Sequence, residues 1–480
     1  LTTSIPLGNF TFLNGITYTI AVWTSMPNGI NDPNTANDMI TSSGIETAMS
    51  GTFTIGGTSP DFATFAAARN ALVAHGVCGP VTFNVRSGSY NEQMSFPTIT
   101  GTSTVNTITF QSEANDSSTV TLTWAAAGTG DNYVIEILGG GHLRFRRMSL
   151  VATNTSYGRV IAINGPAENV VFSSNLIQGV TATGTSTNVA VIYNASGAGN
   201  LANGIVLENN IVRNGSYALY WHGGRSSVLE ANNVIRHNTI TDFYYYGLNL
   251  YYQDNILVEN NEVTAASAAY TTNYGMDINY CDNASVFTRN RITLYGTSTN
   301  YGMYLYYSDG TSTTPMLVSN NFVALFNATG TAYGIYSYYS NYQDIINNSI
   351  HVACGSTTAG RALYFYSAAS GAYGNVRSLN NIAVNTGGGV AVEVYTNAVT
   401  LGYLTQSNNN CYYATGALLG RWGATDAPTL GDWRTASSFD AAAISIDPGF
   451  VSPSDLHTTA FPLNAAALPV ASVTVDVDGE

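Results

Sequence analysis

The tetrapeptide Asn320-Asn-Phe-Val decides the fold, because its pattern, an Asn followed within two residues by an apolar residue, returns throughout the chain. The intervals run from 23 to 35 residues, with a mean near 29. The recurring positions are Asn175, Asn210, Asn238, Asn261, Asn290, Asn321, Asn348, Asn381 and Asn410. In six of the nine, the preceding residue is also Asn. A repeat of this length predicts a solenoid, in which each unit stacks on its neighbour.

A second motif, most often Tyr-Gly followed by an apolar residue, recurs between the Asn positions at intervals of 27 to 32 residues. Its copies are Tyr217-Ala-Leu-Tyr, Tyr246-Gly-Leu-Asn, Tyr274-Gly-Met-Asp, Tyr301-Gly-Met-Tyr and Tyr333-Gly-Ile-Tyr. Apolar and polar residues alternate around both motifs, as they do in half-buried strands. The chain is therefore predicted to be all-β, a parallel β-helix with two or three short strands in each coil.

Asn suits the corner of such a coil for two physical reasons. A sharp turn often needs the left-handed backbone conformation, which Asn tolerates better than most residues. Stacked Asn side chains can also hydrogen-bond to one another and to the backbone of the next coil, so that buried polar groups keep their partners. We therefore interpret the Asn positions as structural and not as ligand-binding.

The flanks of the repeat predict further parts. Residues 1–55 show strand alternation and turn signals typical of the C-terminal strands of a partial immunoglobulin-like β-sandwich. Residues 56–79 form a linker and an N-terminal capping helix, predicted over 61–75 with Asp61 as its N-cap. Residues 80–430 form the β-helix, and residues 431–480 form a C-terminal cap and an extended tail that begins near Phe461.

Composition excludes several kinds of partner. The chain has 15 basic residues, all of them Arg, against 29 acidic residues, so its formal charge is −14. Nucleic acid is not an expected partner, because phosphate binding needs clustered Lys or Arg. Schiff-base chemistry is excluded because the chain has no Lys. No apolar run approaches the ~20 residues that a membrane-spanning helix needs.

The Asn corners, the helix before them and Gly88-Ser-Tyr-Asn-Glu together resemble the pectin-lyase-like right-handed parallel β-helix superfamily. The segments Cys78-Gly-Pro-Val-Thr-Phe-Asn-Val and Asp476-Val-Asp-Gly-Glu, with the stretch at residues 23–38, resemble giant multidomain surface adhesins of gliding bacteria that use type IX secretion. The resemblance implies an extracellular, cell-surface location. It implies little about activity, because this fold carries many functions.

Enzymes of this superfamily imply either acidic residues that hold Ca²⁺ beside a base, or paired carboxylates that cleave glycosidic bonds. Aligning the coils on the Tyr-Gly motif brings Asp254, Asp282 and Asp309 into one column, and stacked carboxylates repel unless a cation lies between them. This column is our candidate for a structural Ca²⁺ site; the alternative is that each Asp caps its own turn. No other cofactor is expected.

Asp277 lies on an outward strand face, with Asn249 and Tyr304 as its neighbours in the same alignment. Neither neighbour is a second acid, and no His is predicted beside it. We find no set of acid, base and nucleophile, so no catalytic residue is assigned and the chain is predicted not to be an enzyme.

The same alignment predicts two adjacent outward columns, which we call the Tyr face. The first contains Tyr220, Asn249, Asp277, Tyr304, Tyr336 and Tyr364, and the second contains His222, Tyr251, Asn279, Tyr306, Tyr338 and Tyr366. Tyr is common on exposed strands, so the columns have a structural explanation. A run of aromatic rings is also typical of a surface that stacks against sugar rings, and the binding residues we assign are Tyr220, Tyr251, Tyr304, Tyr306, Tyr336, Tyr338, Tyr364 and Tyr366.

The sequence therefore favours a non-catalytic extracellular adhesin or fibre module, a stiff rod that contacts polysaccharide or another external surface through the Tyr face. The alternative is a carbohydrate-active enzyme of the same fold, either a polysaccharide lyase or a glycoside hydrolase. A third hypothesis is an architectural subunit, whose partners are neighbouring copies or domains of a long chain joined through open strands.

Overall fold

The computed structural model describes residues 9–12, 17–26, 29–194, 197, 200–225, 227–265, 270–355, 359–368 and 373–480. Within these residues, three long sheets of parallel strands enclose one continuous hydrophobic core. Each coil contributes one strand to each sheet in turn, and the next coil pairs with it in register. The prediction of an all-β parallel β-helix is confirmed.

Sheet 1 precedes the Asn turn in each coil and sheet 2 follows it. Sheet 1 contains β3 (Met49–Ile55), β4 (Val77–Val85), β7 (Ile108–Ser112), β10 (Leu143–Arg146), β14 (Val171–Ser173), β18 (Val206–Glu208), β22 (Val234–Arg236), β25 (Leu257–Glu259), β28 (Val286–Thr288), β31 (Met316–Ser319), β34 (Gln343–Ile346), β37 (Val376–Leu379) and β40 (Leu404–Asn408). Sheet 2 contains β5 (Gly88–Asn91), β8 (Val120–Trp124), β11 (Ser149–Ala152), β15 (Leu176–Gln178), β19 (Ile211–Arg213), β23 (Thr239–Phe243), β26 (Glu262–Ala265), β29 (Arg291–Leu294), β32 (Phe322–Phe326), β35 (Ser349–Ala353), β38 (Ile382–Asn385) and β41 (Cys411–Ala414).

Sheet 3 has the longest strands and carries the Tyr-Gly motif. It contains β6 (Met94–Phe96), β9 (Ile135–Ile137), β12 (Ile161–Ile163), β16 (Ile192–Asn194), β20 (Tyr217–His222), β24 (Tyr246–Asp254), β27 (Thr272–Asp282), β30 (Thr299–Tyr306), β33 (Ala332–Tyr338), β36 (Gly360–Tyr366), β39 (Val390–Val394), β42 (Gly420–Trp422) and the antiparallel β43 (Thr425–Ala427), with β21 (Glu230–Ala231) beside β24.

The remaining elements are short. They are the antiparallel pair β1 (Tyr18–Trp23) and β2 (Met39–Ile45), the parallel pair β13 (Ala167–Glu168) and β17 (Ala202–Asn203), the helices α1 (Phe65–His75), α2 (Thr396–Thr400) and α3 (Leu430–Ser437), and 3-10 turns at Thr35–Asn37, Thr129–Asp131, Thr187–Val189 and Phe461–Leu463.

The recurring Asn residues form a buried ladder between sheets 1 and 2. Each Asn donates from its backbone N–H and from its Nδ2 to the Oδ1 of the Asn in the next coil, as Asn290 does to Asn321 at 3.0 Å in both cases. Each Nδ2 also donates to a backbone carbonyl of the preceding coil, which for Asn290 is Val258 O at 3.0 Å. The ladder ends at the buried Asp440 carboxylate, which accepts from Asn410 at 2.9 Å. The ladder residue of each turn is thus buried with its polar groups hydrogen-bonded.

The two reasons for Asn at the corner belong to two adjacent residues. The buried ladder residue makes the hydrogen bonds, whereas the residue before it adopts the left-handed conformation, with φ between +51° and +57°. These preceding residues are Ser174, Asn209, His237, Asn260, Arg289, Asn320, Asn347, Asn380 and Asn409. The division explains why Asn at the preceding position is frequent but not required.

The glycine of the Tyr-Gly motif is needed where sheets 2 and 3 approach each other inside the coil. A Cβ at Gly302 would lie 2.3 Å from Val323 Cγ1 and 2.4 Å from Gly334 O. Both distances are far shorter than van der Waals contact, and one of the two atoms is backbone. Any larger residue at Gly302 would therefore separate the sheets or the coils.

Both ends of the chain differ from the predicted boundaries. β3 lies within the region predicted to be immunoglobulin-like, but it pairs in parallel with β4, so sheet 1 begins at Met49. In the described part of residues 1–48, β1 and β2 form only a two-stranded sheet. An immunoglobulin-like sandwich there is not confirmed.

The predicted helix begins later than expected. Its N-cap is Thr64, whose hydroxyl accepts from Ala67 N at 3.0 Å, and the prediction of Asp61 as N-cap is wrong. Asp61 instead accepts from the backbone and hydroxyl of Thr54 at 2.7 and 2.8 Å, which holds it in the turn after β3. Phe65 on the helix is buried against the first coils; a capping role for the helix stays a prediction.

The C-terminal tail does not extend away from the solenoid but runs back along the Asn turns. The left-handed turn residues point their side chains outward, and their amides bind the tail backbone: Asn320 Nδ2 donates to Val475 O at 2.7 Å and Asn380 Nδ2 to Leu468 O at 2.7 Å. Arg291 pairs with Asp478 at 2.7 Å near the end of the tail. Outward Asn amides thus bind an irregular segment that the strand pattern could not predict.

The two neighbouring residues of one Asn turn should respond very differently to substitution. Asn210→Ala removes the Nδ2 bonds to Phe172 O and Asn238 Oδ1 and leaves Asn175 without its acceptor, so we expect a loss of about 3 kcal/mol or more in the free energy of unfolding. Asn209→Gly is the matched control. Its side chain is exposed and its φ of +55° suits Gly, so we expect a change within about 0.5 kcal/mol. Urea unfolding measures both, and equal losses would contradict the ladder's role.

Candidate functional site

The register of sheet 3 places the predicted columns of the Tyr face as expected. Asn249 pairs with Asp277, Asp277 with Tyr304, and the sequence of pairs continues through Tyr336 to Tyr364. The second column follows in the same register from His222 to Tyr366. The columns therefore run along the outer surface of sheet 3, parallel to the solenoid axis.

The rings of the Tyr face pack on one another more closely than a fully exposed surface would. Tyr336 stacks on Tyr304 and Tyr364, with ring centroids 5.0 and 4.7 Å apart, and Tyr338 stacks on Tyr366 at 4.8 Å with an interplanar angle of 1°. As a result Tyr336 and Tyr364 are only 8% and 6% exposed, whereas the other Tyr rings of the face are half-buried. The face presents mainly ring edges and hydroxyls to solvent.

Two further Tyr columns widen this surface, and simple alternation missed both. The Tyr residues of the Tyr-Gly motif form a flanking column: Tyr246 stacks on Tyr274 at 4.4 Å and Tyr274 on Tyr301 at 4.5 Å. They point outward because the next two residues, such as Gly275 and Met276, both face the interior, which shifts the alternation by one residue. The repeat of Tyr-Gly in successive coils is the sequence feature from which this column could have been predicted.

The second flanking column lies at the strand ends, where the backbone is left-handed. It contains Tyr252, Tyr280, Tyr307 and Tyr339, with φ between +47° and +58° and successive ring centroids 5.1 to 5.5 Å apart. A bulky residue rarely adopts this conformation. Four successive coils each place a Tyr there. This indicates that stacking of the rings compensates the free-energy cost of the left-handed backbone conformation.

Three polar side chains interrupt the rings at the centre of the Tyr face. Asp277 accepts a hydrogen bond on each carboxylate oxygen, from Asn249 Nδ2 at 2.7 Å and from Asn279 Nδ2 at 2.6 Å. All three side chains are nearly buried, with exposures of 3% to 4%. The aromatic columns thus surround one carboxyl group that two amides hold in place.

His222 extends this polar group by one coil, a contact the sequence did not predict. Its Nε2 lies 2.7 Å from Asn249 Oδ1, and because that oxygen can only accept, Nε2 carries the proton. Burial lowers the pKa of His222, so the ring is neutral near pH 7. A chain of hydrogen bonds therefore leads from His222 through Asn249 to Asp277.

Burial dominates the electrostatics of Asp277. It raises the pKa of this carboxyl from 3.8 to about 7, although the bonds from Asn279 and Asn249 favour the charged form. The neighbouring phenols stay protonated: burial, then the phenol of Tyr333 and the carboxylate of Asp277, raises the pKa of Tyr301 to about 12. The site therefore holds one acid that titrates near neutrality among neutral hydroxyl groups.

The three Asp residues proposed for Ca²⁺ make turn hydrogen bonds at the edge of sheet 3. Asp282 accepts from Asp309 N at 3.0 Å, and Asp309 accepts from Asn341 N at 2.7 Å. Asp254 accepts from Asn283 Nδ2 at 2.6 Å. Burial, with a smaller effect of the neighbouring carboxylates, raises the pKa of Asp282 to about 6. In the described part of the chain no three His, Cys, Asp or Glu side chains form a metal-binding group, and Ca²⁺ at this column stays a prediction.

Comparisons with known proteins agree with the fold. Residues 160–350 match the family model described as a right handed beta helix region. No curated protein sequence matches the chain. No helix within the described ranges is long and apolar enough to cross a membrane.

Solved structures similar to this chain share little sequence with it. A mannuronic acid specific polysaccharide family 6 lyase from human gut microbiota is 12% identical over 80% of this chain and 90% of that chain, with a TM-score of 0.44. A mannuronan C-5 epimerase module of Azotobacter vinelandii is 17% identical over 80% and 95%, with a TM-score of 0.37. The Dettilon tailspike protein is 11% identical over 81% and 66%, with a TM-score of 0.39.

These comparisons correct one prediction. The prediction that the chain is not an enzyme is corrected: the fold that it shares with a polysaccharide lyase and an epimerase gives no ground for excluding catalysis. At these identities the likeness is one of fold. The chain is a right-handed parallel β-helix.

Proposed function

We propose that this protein is carbohydrate-active: the Tyr face binds a polysaccharide chain, and Asp277 is the group that exchanges a proton with the bound sugar. The observation that carries the proposal is the position of Asp277, a carboxyl with a pKa of about 7 at the centre of four aromatic columns. This proposal replaces the non-catalytic adhesin favoured by the sequence.

The aromatic columns support binding of a long, regular ligand. The stacked rings run along the solenoid axis from Tyr220 to Tyr366, and adjacent strands are spaced about 4.8 Å apart. The Tyr ring edges that reach solvent offer apolar contact to sugar rings, and the protonated Tyr hydroxyls supply donors and acceptors for sugar hydroxyls. A platform that repeats with every coil suits a polymer better than a small ligand.

The state of Asp277 supports a role in proton transfer. A general acid is most effective when its pKa lies near the working pH, because both protonation states are then accessible. Such a carboxyl also opposes folding at neutral pH, since burial disfavours its charge. Perturbed acids of this kind, held in place by hydrogen bonds, are typical of functional sites.

Three further interpretations of the sequence stay predictions. They are the extracellular, cell-surface location, the resemblance to type IX secreted adhesins, and contacts with neighbouring copies or domains.

Replacing Asp277 by Asn should separate reaction from binding. We expect Asp277→Asn to lower the rate on a polysaccharide substrate about 100-fold or more, because general acid–base catalysis contributes that much, while the affinity for the polysaccharide stays within a few-fold. The wild-type rate should fall as pH rises through about 7, where Asp277 loses its proton. Reducing-sugar release over a panel of polysaccharides measures the rate, because any cleavage of a glycosidic bond creates a reducing end. An unchanged rate in the variant would contradict the role of Asp277.

The same substitution should stabilise the fold, but only at high pH. The folded pKa of Asp277 lies above its unfolded value of 3.8, so its favourable contribution is complete below pH 4 and is lost as pH rises to about 7. At pH 8 Asp277→Asn should therefore raise the free energy of unfolding by up to roughly 4 kcal/mol relative to its effect at pH 4.

Asp116→Asn is the control for this stability effect. Asp116 is exposed and accepts from Ser118 N at 2.9 Å, which lowers its pKa, so its replacement should give no gain at pH 8. Thermal and urea unfolding at both pH values test the pair. A pH-independent effect of Asp277→Asn would exclude the raised pKa.

The Tyr face is best tested at its less buried rings. We expect Tyr338→Ser with Tyr366→Ser to weaken polysaccharide binding at least tenfold, because the two rings stack into one contact surface to which each contributes about 1 kcal/mol or more. Tyr→Phe at the same positions keeps the stack and should restore most of the affinity. Tyr295→Ser, which removes a ring stacked on Phe326 away from this face, is the matched control. Equal affinities in all variants would exclude the Tyr face as the binding surface.

A further inference from the structure

The charges around Asp277 are all of one sign. The three central strands of the Tyr face, β24, β27 and β30, carry no Arg, and the chain has no Lys. Asp277 lies in their middle, and Asp254 and Asp282 end two of them. Asp309 follows at the next coil and accepts from Asn341. A ligand on these strands therefore meets four carboxyl groups and no cationic side chain.

The nearest Arg along sheet 3 is Arg225, which is exposed in the loop after β20, two strands or about 10 Å from the strand of Asp277. The next Arg residues lie toward the two ends of sheet 3 and are engaged there. Arg361 donates to Glu393 at 2.8 and 3.2 Å and lies over the Tyr364 ring. Arg159 lies 3.4 Å from the Tyr193 ring centroid and donates to Thr187 O at 3.0 Å. Along sheet 3, Arg361 lies three strands from Asp277 and Arg159 lies beside the strand four places away. At the usual strand spacing these separations are about 14 and 19 Å.

These distances reach or exceed the length over which charges act in salt solution, about 8 to 10 Å under ordinary conditions. Carboxylate and sulfate groups of a polysaccharide bind tightly when Arg or Lys supplies charge-assisted hydrogen bonds. The central strands offer only neutral donors, and above pH 7 their carboxylates repel an anion. Sugar hydroxyls need no cation and match the phenol groups of the Tyr columns.

We propose that the polysaccharide bound at the Tyr face is uncharged, so that chains bearing carboxylate or sulfate groups are rejected. This inference rests on the proposed function and specifies its substrate class. It also assigns a task to the acidic edge column Asp254, Asp282 and Asp309, which excludes anionic chains in addition to holding the turns.

Pairs of polymers with the same backbone test the proposal on the full chain. One pair is hydroxyethyl cellulose and carboxymethyl cellulose; equivalent neutral and anionic forms of a xylan and a dextran complete the panel. At pH 8 and about 100 mM salt, where charges act over about 10 Å, we expect at least tenfold tighter binding of the neutral member, measured by affinity electrophoresis. The difference should shrink at higher salt, because screening weakens the repulsion.

Asp277→Asn should narrow the difference at pH 8, because it removes the central carboxylate, whereas the exposed Asp116→Asn should leave it unchanged. Tighter binding of the anionic polymers, weakened by salt, would overturn the proposal while leaving polysaccharide binding intact. An equal affinity for both members would also overturn it. Binding of no polymer in the panel would overturn the proposed function itself, and with it this inference.

Discussion

The hydrogen-bonded ladder of buried Asn side chains is the interaction on which the rest of this structure depends. Each amide links three coils, through the carbonyl behind it, its own backbone and the Oδ1 ahead of it. A parallel sheet of short strands can slip by one residue and exchange its two faces. The ladder opposes such a slip, because a displaced coil would leave several buried polar groups without partners. Register along the solenoid is therefore set at the turn and transmitted to all three sheets.

The Tyr face follows from that register. Because every coil begins from an equivalent Asn, the Tyr-Gly motifs of sheet 3 come into line and their rings stack in continuous columns. Asp277 occupies one position in this array, between Asn249 and Tyr304. The surrounding rings bury this carboxyl and so raise its pKa to about 7, which lets it exchange a proton near neutrality and makes its charged form costly to the fold. The raised pKa of Asp277 and the stability of the fold above pH 7 are thus opposed at a single side chain.

Much of this could be predicted from periodicity. The Asn and Tyr motifs predicted the solenoid, and their spacing aligned Asn249, Asp277 and Tyr304 as the structure has them. Two kinds of feature could not be predicted. Local backbone irregularity placed Tyr274 and Tyr280 outward, against simple alternation. Burial, which depends on how rings pack across coils, converted Asp277 from an outward strand residue into a nearly buried acid linked to His222.

The most direct test of this account is a carbon-13 NMR titration of the Asp277 carboxyl in the protein with labelled Asp, with Asp277→Asn used to assign the signal. The account predicts a midpoint near pH 7, far above the ordinary Asp value, since the carboxyl lies enclosed by stacked Tyr rings with only two amide donors. A midpoint near pH 4 would show that water reaches the carboxylate, and would contradict both the packing of the Tyr face and the reactivity assigned to Asp277.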